Sequence, residues 1–456
     1  MKKHIKISLI FLCLLFSTTY GQIITTIGGN GVVGSNNGDG GPATAARINY
    51  PTAGKFDRYG NYYFVTGISG NSVRKIDASG FITTIAGTGS SGYSGDGAAA
   101  TAATLNGPQG IALDSIGNVF VADAQNNVIR KINISTGIIS TYGGTGMAGF
   151  AGDGMAATSA HLYNPNGLSF DKRGNLFIAD YNNYRVRKID ANGIITTVAG
   201  TSIAGFNGDG GLADTSQIRG VLDICNDSAG NLYLADEVNG RIRKINLAGI
   251  ITTIAGNGIA GFTGDGGSAL TAQIKPHCIT IDKFGNVYMG DYYTFRVRKI
   301  DVLGNISTIL GNGSSGFSGD GLLATSAKIG HPGGISTDSC GNVYLCDANN
   351  YRIRKVTFDT SCGSIQDTPS HVGVINVNSS KAISVYPNPV WNEMHVDGIN
   401  ATVEYTLYDL TGRQVMKGML QPGSNKLNMQ LLIQGIYTLQ VQDGTGKREV
   451  WKVVKE

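Results

Sequence analysis

The stretch "GPQGIALDSIGNVFVADAQNNVIRKI", Gly107 to Ile132, decides the fold. It holds three short runs of alternating apolar and polar residues, "GIALD", "NVFVAD" and "NVIRKI". Gly-Asn and Asn-Asn punctuation separates them, which is the signature of strands joined by tight turns. A fourth run, "IISTY", follows at Ile138 to Tyr142. A glycine-rich connection, "GTGSSGYSGDG" at Gly87 to Gly97, comes before.

Working outward, the same unit recurs along the chain. The GDG aspartates are Asp39, Asp96, Asp153, Asp209, Asp265 and Asp320, spaced 57, 57, 56, 56 and 55 residues apart. Gly-Asn recurs at Asn61, Asn118, Asn175, Asn231, Asn286 and Asn342, each opening an alternating apolar run. A basic strand, "SVRKI" in the first unit and "RIRKV" ending at Val356 in the last, recurs in all six. Four antiparallel strands repeated at this length predict the blade of a β-propeller, and six copies predict six blades. The array starts with a fourth-strand sequence, Ile23 to Ile27, and stops after a third strand. The orphan first strand is therefore expected to complete the last blade, since an open ring leaves strand edges unpaired.

The Gly107–Ile132 unit resembles the NHL repeat, and the "GTGSSGYSGDG" loops resemble those of teneurin-like and bacterial surface propellers. The resemblance covers Ile23 to about Val356. A second module begins near "VYPNP", Val385 to Pro389, continues through "YTLYDLTGRQV" and "LIQGIYTLQV", and ends in "KVVKE". Its alternating runs and glycine turns predict a small β-sandwich. The motifs resemble the C-terminal sorting domain of the type IX secretion system, which implies handling by that machinery and passage across the outer membrane. The fold class is thus all-β, a six-bladed propeller followed by a small β-sandwich. The expected boundaries are a signal peptide over 1–21, a propeller over 22–362, a linker over 363–381 and a sorting domain over 382–456.

The leader reading rests on Lys2, Lys3 and Lys6 before the apolar run Ile7 to Phe16, with Thr19 and Gly21 at small-residue cleavage positions. Without those lysines the basic count falls from 36 to 33, against 32 acidic residues. A near-neutral mature chain gives no electrostatic case for nucleic acid or an anionic membrane. No later run is long enough for a membrane span. The 67 glycines suit a chain full of turns that need positive φ.

Each chemistry-bearing pattern also has a scaffold role. Gly87, Gly89 and Gly92 spell GxGxxG, but the pattern recurs in five units and leads to a turn rather than a helix, so it is not a dinucleotide loop. Each GDG offers one carboxylate without a calcium-binding ladder, so the aspartates are expected to hold turns. Tyr93, Phe150, Phe206, Phe262 and Phe317 stand three residues before the aspartates and are candidates for loop anchors or ligand stacking. Arg74, Arg130, Arg187, Arg243, Arg298 and Arg354 are expected to pair with the aspartates ending the second strands, Asp123, Asp180, Asp236, Asp291 and Asp347. His277 and His331 open the first strands of adjacent blades. Asp223 replaces a glycine of the fourth blade's first strand, near the axis. Glu237, the propeller's one glutamate, falls in a connection away from the inner strands.

In the family that the repeat resembles, catalytic members hold channel zinc or calcium. Two histidines without a third ligand make no zinc site, so no cofactor is assigned. Five cysteines remain after the leader. Cys340 and Cys362 are placed to bridge the last blade, Cys346 to be a buried thiol, and Cys225 and Cys278 on neighbouring strands where pairing stays open. The functional reading is a secreted or surface binding module for a protein or glycan, with catalytic activity left open. The alternative is an extracellular hydrolase or lyase with a channel metal. Candidate binding residues are the five aromatics with Asp223, His277 and His331.

Overall fold

The second repeat shows how its residues make a sheet. The computed structural model describes residues 22–358, 384–386, 393–409, 413–430, 432, 435–442 and 448–455. In it, Pro108–Leu113, Val119–Asp123, Val128–Ile132 and Ile139–Gly143 pair antiparallel in that order. Asp114 shapes the first turn: its carboxylate accepts the N–H of Ile116 and of Asn118, and the side-chain amide of Asn118, at 2.8 to 3.1 Å. Gly117 in that turn has φ +93°, which side-chain-bearing residues rarely adopt. A short 3-10 turn, Ala124–Asn126, then leads into the third strand.

Six such sheets follow one another. Their inner strands are Pro51–Phe56, Pro108–Leu113, Pro165–Phe170, Val221–Asn226, Pro276–Ile281 and Pro332–Thr337. Each contacts the next, and the sixth contacts the first. Apolar clusters fill the spaces between neighbouring sheets. Val65 and Val73 of the first pack with Ile111 and Val121 of the second, and Tyr344 and Ile353 of the sixth with Tyr62 and Phe64 of the first. The inner strands approach to backbone contact: a Cβ on Gly167 would lie 2.6 Å from the Cα of Asp223.

The sixth sheet takes its outer strand from the other end of the repeat array. Ile23–Gly28 pairs antiparallel with Arg352–Thr357, with Ile24 opposite Val356 and Thr26 opposite Arg354. The long GDG connections run along the outer strands and cover their edges. Gly97 N–H donates to Ile139 O at 2.8 Å, and Ile139 N–H donates to Ala98 O at 3.1 Å. Ile24 makes the same two bonds with Gly321 and Leu322, so the N-terminal strand is held as the other outer strands are. Covering an edge in this way removes a template for intermolecular pairing.

The arginines and aspartates sort differently from the sequence expectation. All six third-strand arginines are fully buried, and their tight partners are the GDG aspartates, at 2.6 to 2.8 Å. The second-strand aspartates stand farther off, 3.4 to 3.7 Å in four sheets. Nor does each GDG aspartate hold only its own turn: Asp153 also accepts the N–H of Thr197 in the outer strand, as Asp265 does from Thr308. One guanidinium thus faces two carboxylates. At the fully buried one burial outweighs its hydrogen bonds and the more distant guanidinium, and pushes Asp123, Asp180, Asp236, Asp291 and Asp347 up to about 6.

Cys225, Cys278 and Cys346 are buried free thiols, so Cys225 and Cys278 do not pair. Cys340 is disulfide-bonded. Cys362, the signal-peptide segment and the linker lie outside the described residues. The chain divides into two compact units, Met1–Gln366 and Asp367–Glu456. In the second, one sheet holds Ser384–Tyr386, Glu393–Ile399 and Gly423–Asn428. The other holds Gln414–Leu420, Val403–Asp409, Gly435–Gln442 and Arg448–Lys455. They share a core that includes Met394, Val396, Leu407, Leu439 and Val453.

Candidate functional site

Six copies of one unit keep the same residue wherever the scaffold demands it. The second position of the inner strand is different: it reads Thr52, Gln109, Asn166, Leu222, His277 and Gly333, six different residues. These line one cavity of about 50 Å³, together with Ala53, Gly110, Gly167 and Asp223 of the next position, so all six inner strands contribute. Backbone geometry sets the ring, and the side chains on it are left to vary.

Asp223 sits on the cavity wall with most of its carboxylate wrapped by protein. Its two oxygens accept the N–H of Ile224 and of Ile279 in the next inner strand, both at 2.9 Å. Asp223 thus ties two inner strands together. Burial raises its pKa, opposed by Lys55 and by the two N–H bonds.

Above the cavity the loops add a cluster on one side. His277 Nδ1 lies 3.9 Å from Glu237 Oε1. The Glu237 connection thus bends inward to the inner-strand ends, where the sequence had placed it apart. The His277 ring is 4.7 Å from Tyr292, and Tyr292 stacks on His331 at 3.9 Å. Asn349 holds His331 Nδ1 at 3.1 Å. Burial, with a contribution from His277, lowers the His331 pKa, so this ring is neutral at pH 7. Burial and the neighbouring Tyr50 hydroxyl push Tyr292 up to about 12. Tyr293 beside it is 60 % exposed, with Lys275 over its ring at 3.7 Å. Among the described residues no group of three or more His, Cys, Asp or Glu side chains converges to hold a metal.

The five loop aromatics occupy a different place and do not line the cavity. Phe150, Phe206, Phe262 and Phe317 each carry an arginine guanidinium over the ring at 3.7 Å, from Arg185, Arg241, Arg296 and Arg352. Tyr93 lies 5.0 Å from Arg130 and bonds Thr141 through its hydroxyl at 2.7 Å. Of the predicted residues, the structure brings together Asp223, His277 and His331. Sequence reasoning missed Tyr292, Glu237, Gln109, Asn166 and Thr52. Comparing the six repeats column by column, for the positions where they disagree, finds all five.

Comparison with known proteins places this architecture. Residues 88–149 and 145–205 match the Teneurin NHL domain, and residues 384–456 match the Secretion system C-terminal sorting domain. The chain thus carries repeats that match the Teneurin NHL domain and ends in a type IX sorting domain, which supports export to the cell surface or the medium. It is 31% identical over 237 residues to Teneurin-1 of Mus musculus, covering 46% of this chain and 8% of that protein. It is 23% identical over 294 residues to NHL repeat-containing protein 2 of Homo sapiens, covering 58% and 40%. The chain thus spans well under half the length of these relatives. Among solved structures it resembles an auxiliary nutrient binding protein from Bacteroides ovatus ATCC 8483, with TM-score 0.55 and 16% identity, covering 74% of this chain and 77% of that one. No helix among the described residues is long and apolar enough to cross a membrane.

Proposed function

We propose that residues 22–362 form a closed six-bladed propeller that binds a ligand of the cell exterior around the cavity and its rim. Residues 382–456, as a small β-sandwich, hand the chain to the type IX machinery after a signal peptide has brought it to the periplasm. The observation that carries the binding role is the break in the repeat. Scaffold positions hold Arg, Asp and Gly in near-identical register, while Glu237, His277 and His331 have no equivalents around the ring and gather on one side of the cavity with Tyr292, whose position holds tyrosine in one other repeat, at Tyr181. Rigid strands that present varied side chains at one concave, part-aromatic place are how binding sites are built on common folds.

The test is capture of a surface ligand by the full secreted chain, using a glycan array and defined surface-protein fractions. Wild type is expected to retain a ligand that the Tyr292→Ala/His331→Ala double variant loses, while Phe284→Ala, in a turn at the far ends of the inner strands, keeps it. Equal capture by the double variant refutes the site. Export has its own check. A chain truncated after residue 381 is expected to accumulate in the periplasm, folded and still able to bind. Normal delivery of that truncation to the surface or medium refutes the sorting role.

A further inference from the structure

We infer that the cavity and its aromatic rim together hold the terminal residue of an uncharged saccharide, which enters end-on with one small group in the cavity. This rests on the reading of the cavity and its rim as the binding site, and adds the chemistry and direction of the ligand.

Size comes first. A cavity of about 50 Å³ has room for about four water-sized atoms, the bulk of a hydroxymethyl or acetamido group. Farther along the inner strands the room narrows: the space beside Lys55, lined by Ala53, Gly110, Asp223 and Gly334, is about 10 Å³. A ligand can therefore insert one small end group and must leave the rest of itself outside.

Polarity comes second. Thr52, Gln109 and Asn166 line the cavity with neutral side chains; the Thr52 hydroxyl donates to Gln109 O at 3.1 Å and the Asn166 amide to Asn164 O at 2.9 Å, which leaves their oxygens as acceptors. His277 Nδ1 has no hydrogen-bond partner among the described residues. The fixed charges nearby are matched internally. Lys55 and two N–H donors face Asp223, and Glu237 stands against His277. Such a lining has no excess charge with which to recruit an ion. It does offer donors and acceptors to a neutral group bearing several of its own, and an unmatched polar partner left dry there is costly.

The rim supplies the rest. Tyr292, Tyr293 and His331 put aromatic surface beside the cavity. A sugar ring combines apolar C–H surface with hydroxyls at fixed spacing, and so matches an aromatic rim above a polar pit. A charged peptide side chain inside the cavity would need an uncompensated countercharge in its lining, which has none; the rim cation, Lys275, lies over the Tyr293 ring.

The full secreted chain is titrated calorimetrically with the methyl glycosides of glucose, galactose, mannose and N-acetylglucosamine, and with their oligosaccharides. At least one methyl glycoside is expected to bind, with its extended oligosaccharide within about three-fold, because only the end residue is held. Gln109→Ala and Asn166→Ala are each expected to weaken binding about ten-fold, and Leu222→Trp, which fills the cavity, to abolish it. Saturation-transfer NMR on wild type needs no variant to fold, and is expected to mark the terminal residue most strongly. Uniform transfer along the oligosaccharide, or binding that survives Leu222→Trp, overturns the inference. If no saccharide binds but a protein ligand is still lost in the Tyr292→Ala/His331→Ala variant, this inference falls and the proposed function stands. If no ligand depends on those rings, both fall.

Discussion

Deleting Ile23–Gly28 while keeping residues 1–22 and all later residues is expected to leave a protein that aggregates, or that melts at least about 10 °C lower. Ile24 is fully buried against the last repeat and pairs with Val356. Its loss removes about 2–3 kcal/mol of apolar burial on its own. The larger effect is on the edge. Arg352–Thr357 would present a row of unpaired N–H and C=O groups, and the connection around Asp320 would lose the strand whose Ile24 and Thr26 it bonds. An uncovered edge of that kind is a template for association with other chains. Adding a synthetic peptide of residues 23–28 to the deletion variant should restore much of the melting temperature, since backbone pairing and one apolar anchor are what is missing. Differential scanning fluorimetry and light scattering read both outcomes. A deletion variant with wild-type melting would show that the N-terminal strand is dispensable.

That strand was legible in the sequence because the scaffold forces the same residues into every repeat. A turn with φ near +90° accepts only glycine readily, and a buried third-strand guanidinium needs a carboxylate at a fixed distance, so GDG and RK recur and can be counted. The partner of the guanidinium was misassigned for a related reason. Asp123 is seven residues from Arg130 and Asp96 is thirty-four, yet the loop folds back to place Asp96 at 2.8 Å. Sequence proximity favoured the weaker contact. The site was hidden more deeply. Glu237, His277, Tyr292 and His331 belong to three successive repeats, and each stands at a position where the repeats disagree. No local motif links them; they meet because inner strands and the connections beside them converge. A search for shared patterns discards such residues, whereas a search for disagreement among aligned repeats retains them.

The same buried charges make stability respond to acid in an unusual direction. Asp180 is fully buried, accepts N–H bonds from Tyr163 and from the side chain of Asn183, and lies 3.4 Å from Arg187, whose closer partner is Asp153. Burial pushes Asp180 from the usual carboxylate range up to about 6. A folded-state pKa raised above the unfolded one contributes stability that is complete below about 4 and is lost as pH rises through 6. Five aspartates of the same type sit in sheets two to six, so the wild-type protein is expected to melt higher at pH 5 than at pH 8. Arg187→Met sharpens the test. Methionine fills part of the space but removes the cation, leaving Asp180 ionised and unpaired at pH 8, at a cost of about 3–5 kcal/mol. Asp153, about a third exposed, is rescued by water and adds little. Below pH 6 the Asp180 proton takes over the work of neutralisation, so the deficit of the variant should shrink steeply as pH falls from 8 to 5. Denaturant titrations of both proteins at these two pH values measure it. A deficit that stays constant with pH would mean that Arg187 stabilises the sheet by packing alone, and that the second-strand aspartates carry no strained charge.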